Sequence, residues 1–156
     1  DVMSQLEGIR LHKLIYQRLE EHLLRTTSDA RERLVYCSEV TLRQQVQMFE
    51  PLPSQLAYPD IIERARNSII NGEQVNDASI MSATWYPPLK HTLALLSLLY
   101  GAVSAPIFED LARRSITLCI QSLTSGASGV RRWKNQLHGD LFLTRHLLIL
   151  REQLIP

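Results

Sequence analysis

The sequence predicts an all-α protein, an elongated bundle of five to seven mostly antiparallel helices. Three observations lead there. Apolar residues recur at steps of three and four, as on one face of a helix. Nowhere do more than a few β-branched or aromatic residues alternate with period two, as a half-buried strand requires. The breaks between periodic stretches carry proline, glycine or Asn-Gly, which punctuate helices.

The first helix is expected over Val2 to Arg25, with Leu6, Ile9, Tyr16 and Leu23 on one stripe and Leu11, Ile15 and Leu19 on a second. Gly8 costs it up to about 1 kcal/mol. TTSD is expected to end it, with Ser28 or Asp29 capping a second helix through DARERLVYCSEVTLRQQVQMF. Val35, Leu42, Val46 and Phe49 form that helix's apolar face.

Pro51, Pro53 and Pro59 then break the chain. Asp60 can cap a short helix through Ile61, Ile62, Ala65 and Ile69, and the polar stretch from Asn71 to Thr84 reads as a loop with a turn at Asn71-Gly72.

Pro87 or Pro88 can occupy the first turn of the next helix, where a missing N–H costs nothing. Leu89, Leu93, Leu96, Tyr100 and Val103 follow at helix-bundle spacing. Pro106 restarts the chain, and Phe108, Leu111, Ala112, Ile116, Cys119, Ile120 and Leu123 make a broad buried face. On its other side Glu109–Arg113 and Asp110–Arg114 stand at i, i+4. TSGASG reads as a turn.

The last helix is leucine-dense. Leu143, Leu147, Leu150 and Leu154 line one side, extended by Leu141, Leu148 and Ile155. Asp140, Thr144 and Arg151, widened by Arg145 and Glu152, form a polar strip. Such a helix is expected to lie among other helices with one edge wet.

A chain of 156 residues, 45% hydrophobic and 21% charged, can bury one continuous core. Seventeen basic and sixteen acidic residues leave a net charge of +1, mixed along the chain, so no global field steers it toward nucleic acid or an anionic bilayer. The run from Leu93 to Leu99 is far short of a membrane span. Cys37 and Cys119 both fall in candidate apolar faces and are expected to be buried thiols. No signal peptide opens the sequence. It begins without Met and stops after a strongly apolar helix, so it reads as part of a longer protein.

Chemistry finds little footing. His12, His22, His91, His138 and His146 show no metal-ligand spacing and read as surface or bundle-edge histidines. Neither cysteine has a histidine nearby in sequence, no GxSxG elbow occurs, and SGASG lacks the lysine of a phosphate loop. No catalytic, cofactor-binding or metal-ligating residue is assigned. Arg131, Arg132, Trp133 and Lys134 form the one basic-aromatic cluster, a candidate partner contact that is otherwise a solvated helix end anchored by its tryptophan. Trp85 and Tyr86 are candidate contacts too, or else plugs between the two halves of the chain.

Several long segments also resemble a known family in the family's order. HGDLFLTRHLLILREQL is similar to a DGxLFLxKHLLILREQI-type stretch. RERLVYCSEV…QLAYPD resembles an ERLVYR-type helix with a loop ending in DLAYPDKL. WYPPLKHTLALLSLLY and CIQSL resemble WYPxxRxTLxxLSxLY and ACIQSL. The family is the third subunit of the conserved oligomeric Golgi complex, and the likeness runs from about Arg31 to Gln153. Gln55 stands where the family has Asp, and the first thirty residues match loosely. The family commonly carries a long polar insertion where this chain has only Asn71 to Thr84.

The resemblance implies a non-enzymatic structural subunit of a rod-like vesicle-tethering complex, peripheral on the cytosolic face of Golgi membranes and serving intra-Golgi retrograde transport. Implied partners are the other subunits, notably the second and fourth, with SNAREs, Rab GTPases, coat proteins and golgins. No cofactor or nucleic acid is implied. The expected organisation is an N-terminal helical hairpin plus short helix over 1–70, a loop or site of an omitted insertion at 71–84, and a C-terminal helical segment over 85–156. The rival reading is an unrelated helical adaptor that binds short peptide motifs in a groove with converging polar groups.

Overall fold

The computed structural model describes residues 2–71 and 77–155, and among these every regular element is helical. Six α-helices form: α1 (Val2–Leu42), α2 (Asp60–Ile70), α3 (Asp77–Ala83), α4 (Pro87–Leu99), α5 (Ala105–Trp133) and α6 (Gln136–Leu154). A π-helical turn at Arg43–Gln47 continues α1, and a 3-10 turn at Pro53–Gln55 precedes α2. The all-α expectation holds. Of the loop expected from Asn71 to Thr84, Asn71 ends α2 and Asp77–Ala83 is helical instead, while residues 72–76 lie outside the described residues, as do the side chain of Leu6 and its place in the first stripe.

The chain divides into two compact units, one ending at Cys37 and the other starting at Ser38. In the first unit α1 does not stop at TTSD. The hydroxyls of Thr26 and Thr27 donate to the carbonyls of His22 (2.9 Å) and Leu23 (2.7 Å), one turn back, and Ser28 and Asp29 lie inside the same helix instead of capping a new one. The expected break and hairpin are therefore replaced by one uninterrupted helix. None of residues 7–37 is buried. Ile9, Ile15, Tyr16, Leu19 and Leu23 are all more than half exposed, and so is Leu11. Cys37 is likewise exposed, contrary to expectation.

The second unit holds the core. Leu42, at the end of α1, and Val46, in the π turn, are buried, the π turn packs on α4 and α5, and Glu39 pairs with Arg114 of α5 at 2.7 Å. That pair takes the place of the expected Asp110–Arg114 contact. Pro87 and Pro106 sit in the first turns of α4 and α5 as expected. Asp60 opens the first turn of α2 rather than capping it, the cap position being Pro59. After α4, Gly101 takes φ +76°, a conformation that suits glycine and reverses the chain. Leu89, Leu96 and Val103 are buried, but Tyr100 points outward and Leu95 and Leu99 fill the core in its place.

α5 corrects a second expectation. TSGASG is helical, with the Thr124 hydroxyl on Ile120 O and that of Ser128 on Thr124 O. The chain turns instead at Lys134 and Asn135, where the Asn135 side chain caps α6 by accepting from His138 N–H at 2.9 Å. α5 and α6 then lie antiparallel. Gly139 sits so close to α5 that a Cβ there would fall 2.9 Å from Ala127 O.

Along α6 the buried line is Gly139, Phe142, His146 and Leu150. Leu141, Leu148 and Ile155, expected inside, are exposed, as is Leu137. The helix is apolar nearly all round, so periodicity alone could not choose its inner face. The inner face was settled by the ring-bearing residues that reach α4 and α5.

Candidate interaction surface

Four rings meet at the centre of the second unit: Tyr58 from the turn before α2, Tyr86 at the start of α4, and Phe142 and His146 from α6. Phe142 meets Tyr58 edge-on at 4.8 Å between centroids and Tyr86 at 5.4 Å, while Phe49 meets Tyr86 at 5.6 Å. Such edge-to-face pairs are worth about 0.5–1.5 kcal/mol each beyond the area they bury. Gly126 makes room for them. A Cβ there would lie 3.0 Å from the Tyr86 ring and 3.3 Å from Phe142, which is why α5 carries a glycine mid-helix.

His146 has no solvent exposure. Its Nε2 accepts from Tyr86 N–H at 3.0 Å and its Nδ1 donates to Phe142 O at 2.8 Å. A backbone N–H can only donate and a carbonyl can only accept, so the neutral tautomer protonated on Nδ1 is fixed. Burial holds its pKa down at about 4; the Phe142 carbonyl works against that shift, and the nearby Arg145 charge adds to it. The sequence reading placed this histidine at a surface or bundle edge. Its position between Phe142 and Leu150 on an apolar helix was the available signal.

The core also positions its surroundings. Tyr58 Oη donates to Thr84 O at 2.5 Å, Thr84 Oγ1 donates to Met81 O, and Arg145 Nη2 donates to Thr84 Oγ1. Burial raises the Tyr58 phenol well above its ordinary value and lifts that of Tyr86 to about 12, so both stay protonated. These contacts fix the Thr84–Trp85 turn. Beside it opens a groove of about 390 Å³, floored by Tyr58 and Thr84 and walled by Ile61, Ala65, Trp85 and Pro87. Ser54, Gln55, Arg64, Ala83 and Lys90 complete its lining. A smaller, almost wholly apolar hollow of about 210 Å³ lies on the other side of Tyr58, against Ile62, Leu141 and Arg145.

The sequence-chosen contact residues separate. Tyr86 is 1% exposed and belongs to the core, which corrects its reading as a partner contact. Trp85 is half-buried on the groove. At the α5–α6 junction Trp133 is 67% exposed and Arg132 is exposed, but Arg131 is bound to Asp140 at 2.6 Å and Lys134 to Asp60 at 3.4 Å. That cluster is therefore less basic than its sequence. Asp140 is held below the usual carboxylate range by its hydrogen bond from Arg131.

Burial lifts the Cys119 thiol to about 11, against a hydrogen bond with Thr92, so it stays protonated and unreactive. Among the described residues no group of three or more histidine, cysteine or acidic side chains is placed to hold a metal ion, and no helix is long and apolar enough to cross a membrane.

A family model described as "Conserved oligomeric Golgi complex subunit 3, C-terminal" matches residues 9–156. The chain belongs to this family. The subunit 3 protein of Drosophila melanogaster is 32% identical over 162 residues, covering 82% of this chain and 18% of the relative. The human subunit is 29% identical over 205 residues, covering all of this chain and 25% of the relative. The Saccharomyces cerevisiae subunit is 33% identical over 96 residues, covering 58% of this chain. The chain thus spans a quarter or less of the length of these subunit 3 relatives. No solved structure matches it.

Proposed function

We propose that the chain is a non-enzymatic structural segment of a Golgi vesicle-tethering complex that serves intra-Golgi retrograde transport by protein–protein contact. The observation that carries this reading is the family match over residues 9–156. The core supports it physically, because its titratable groups are spent on packing. His146 is locked neutral, the Tyr58 hydroxyl holds the Thr84 carbonyl, and Cys119 is protonated. Such a unit offers shape and surface rather than a reacting group.

The partners that fit are other subunits of the complex, the second and fourth first, and beyond them SNAREs, Rab GTPases, coat proteins and golgins. The setting is the cytosolic face of Golgi membranes, held peripherally. Trp85, Arg131, Arg132, Trp133 and Lys134 are the proposed contacts, with exposed Arg132 and Trp133 foremost. We place the extra residues of the longer relatives at 71–84, and read residues 85–156 as the C-terminal helical segment. The alignment to the human subunit, longer than this chain, supports an insertion somewhere in the matched region.

The test is retention of the purified second and fourth subunits on the immobilised chain. Both Arg132→Glu and Trp133→Ala are expected to weaken retention by about tenfold, as truncation of an exposed anchor does. Failure to retain either subunit would sink the reading.

A further inference from the structure

We propose that the groove beside Trp85 binds a short, extended acidic peptide segment, with its carboxylates on Arg64 and Lys90 and an apolar side chain against the indole. This goes beyond the tethering role and does not depend on which subunits the chain meets.

The argument rests on charge and on the two kinds of wall. Arg64 lies on α2 and Lys90 on α4, and both line the groove. Their contacts are with neutral oxygens: Arg64 Nε donates to Asp60 O and Lys90 Nζ to Ala83 O, each at 3.3 Å. Backbone carbonyls position a cation without cancelling its charge. A guanidinium carries five donors and an ammonium three, so these single bonds leave most of their bonding capacity for a ligand in the groove they line. Among the described residues the ion pairs take Arg114, Arg131 and Lys134, and neither groove cation. The carboxylate of Asp60, one turn from Arg64, is engaged by Lys134. Arg145, bound to Thr84 behind the floor, adds a third positive charge.

A concave site with fixed positive charge and partly apolar walls focuses its field on a negative ligand. Ile61, Ala65, Pro87 and the half-buried Trp85 would be left unmatched by a small inorganic anion, and an apolar side chain covers them. Ser54 and Gln55 supply neutral hydrogen-bonding groups for a peptide backbone. About 390 Å³ accommodates a few extended residues and lies within the range of ligand sites. Trp85 does not move to receive them, since the Thr84 turn is tied to Tyr58 and Arg145.

The experiment uses the whole chain with Trp133→Phe, leaving Trp85 as the single indole. The probe is a fluorescein-labelled hexapeptide, Asp-Glu-Leu-Glu-Asp-Glu, followed by anisotropy and by Trp85 emission. Saturable binding is expected, with a shift in Trp85 emission and an affinity that falls as salt rises. Arg64→Gln with Lys90→Gln should weaken it about tenfold or more, as loss of charge-assisted bonds does. Arg132→Gln, outside the groove, should change it less than about twofold. Near-ultraviolet circular dichroism, dominated by the buried rings, establishes that the variants are folded. Absence of saturable binding overturns the proposal. So does an equal loss with Arg132→Gln, which means diffuse attraction. Binding to phosphatidylserine vesicles that needs Arg64 and Lys90, without peptide binding, also overturns it in favour of a membrane surface.

Discussion

Residues 7–37 of α1 run as a regular helix with no buried side chain, whereas α6, with 19 residues, buries Gly139, Phe142, His146 and Leu150. Both are rich in leucine. The difference teaches that leucine content sets how much surface a helix offers, and not which side is used. α6 is anchored by groups that specify direction: two rings, a glycine that admits α5, and the two hydrogen bonds of His146. Along the first unit Ile9, Leu11, Leu14, Ile15, Leu19, Leu23 and Leu24 all stay at least half exposed, with no such anchor choosing one stripe among the described residues.

The sharpest way to break this contrast is to remove a ring. Phe142→Ala should destabilise the second unit by about 3–5 kcal/mol in urea denaturation, the range for a buried phenylalanine. A loss below about 1 kcal/mol would mean that the four-ring centre does not hold α6. Acid offers a second handle. His146 has a folded pKa of about 4 against 6.5 unfolded, so the unfolded chain takes up a proton that the folded core refuses. The corresponding stability is complete above pH 6.5 and is lost as pH falls toward 4, by about 3 kcal/mol. His146→Gln should flatten that part of the pH profile, whatever it does to stability at neutral pH.

Gly126→Ala probes the same centre from α5. The added methyl meets two rings that cannot swing away, and a loss of about 1–3 kcal/mol is expected from overpacking, despite alanine's better helix propensity. The smallest effect belongs to the first unit. Leu19→Ser, at a position 55% exposed, should shift the main unfolding transition by less than about 0.5 kcal/mol. A larger shift would show that the first unit's exposed stripe is covered in solution.

Much of this was legible in the sequence. Pro87 and Pro106 mark helix starts because they lack only a hydrogen that the first turn does not use, and Leu89, Leu96, Cys119 and Leu123 lie inside as their spacing implies. The misread segments share one cause. Thr26, Thr27, Thr124 and Ser128 are small polar residues that favour caps and turns when their hydroxyls seek local amides, and here each hydroxyl returns to a carbonyl one turn back. That choice depends on whether the helix is worth continuing. For α5 the reason is the seat that Gly126 gives to Tyr86, a residue far off in sequence. The groove was hidden for the same reason. Trp85 was singled out, but Arg64 and Lys90 sit on different helices and come together only through the Thr84 turn.

The fixed imidazole of His146 has one more consequence. Because one ring nitrogen always bears hydrogen and the other always receives it, their nitrogen-15 resonances should stand far apart while the fold is closed. Once solvent reaches the ring, exchange between the two forms would draw those signals together. The protein thus carries its own gauge of core integrity, readable without a label attached to its surface.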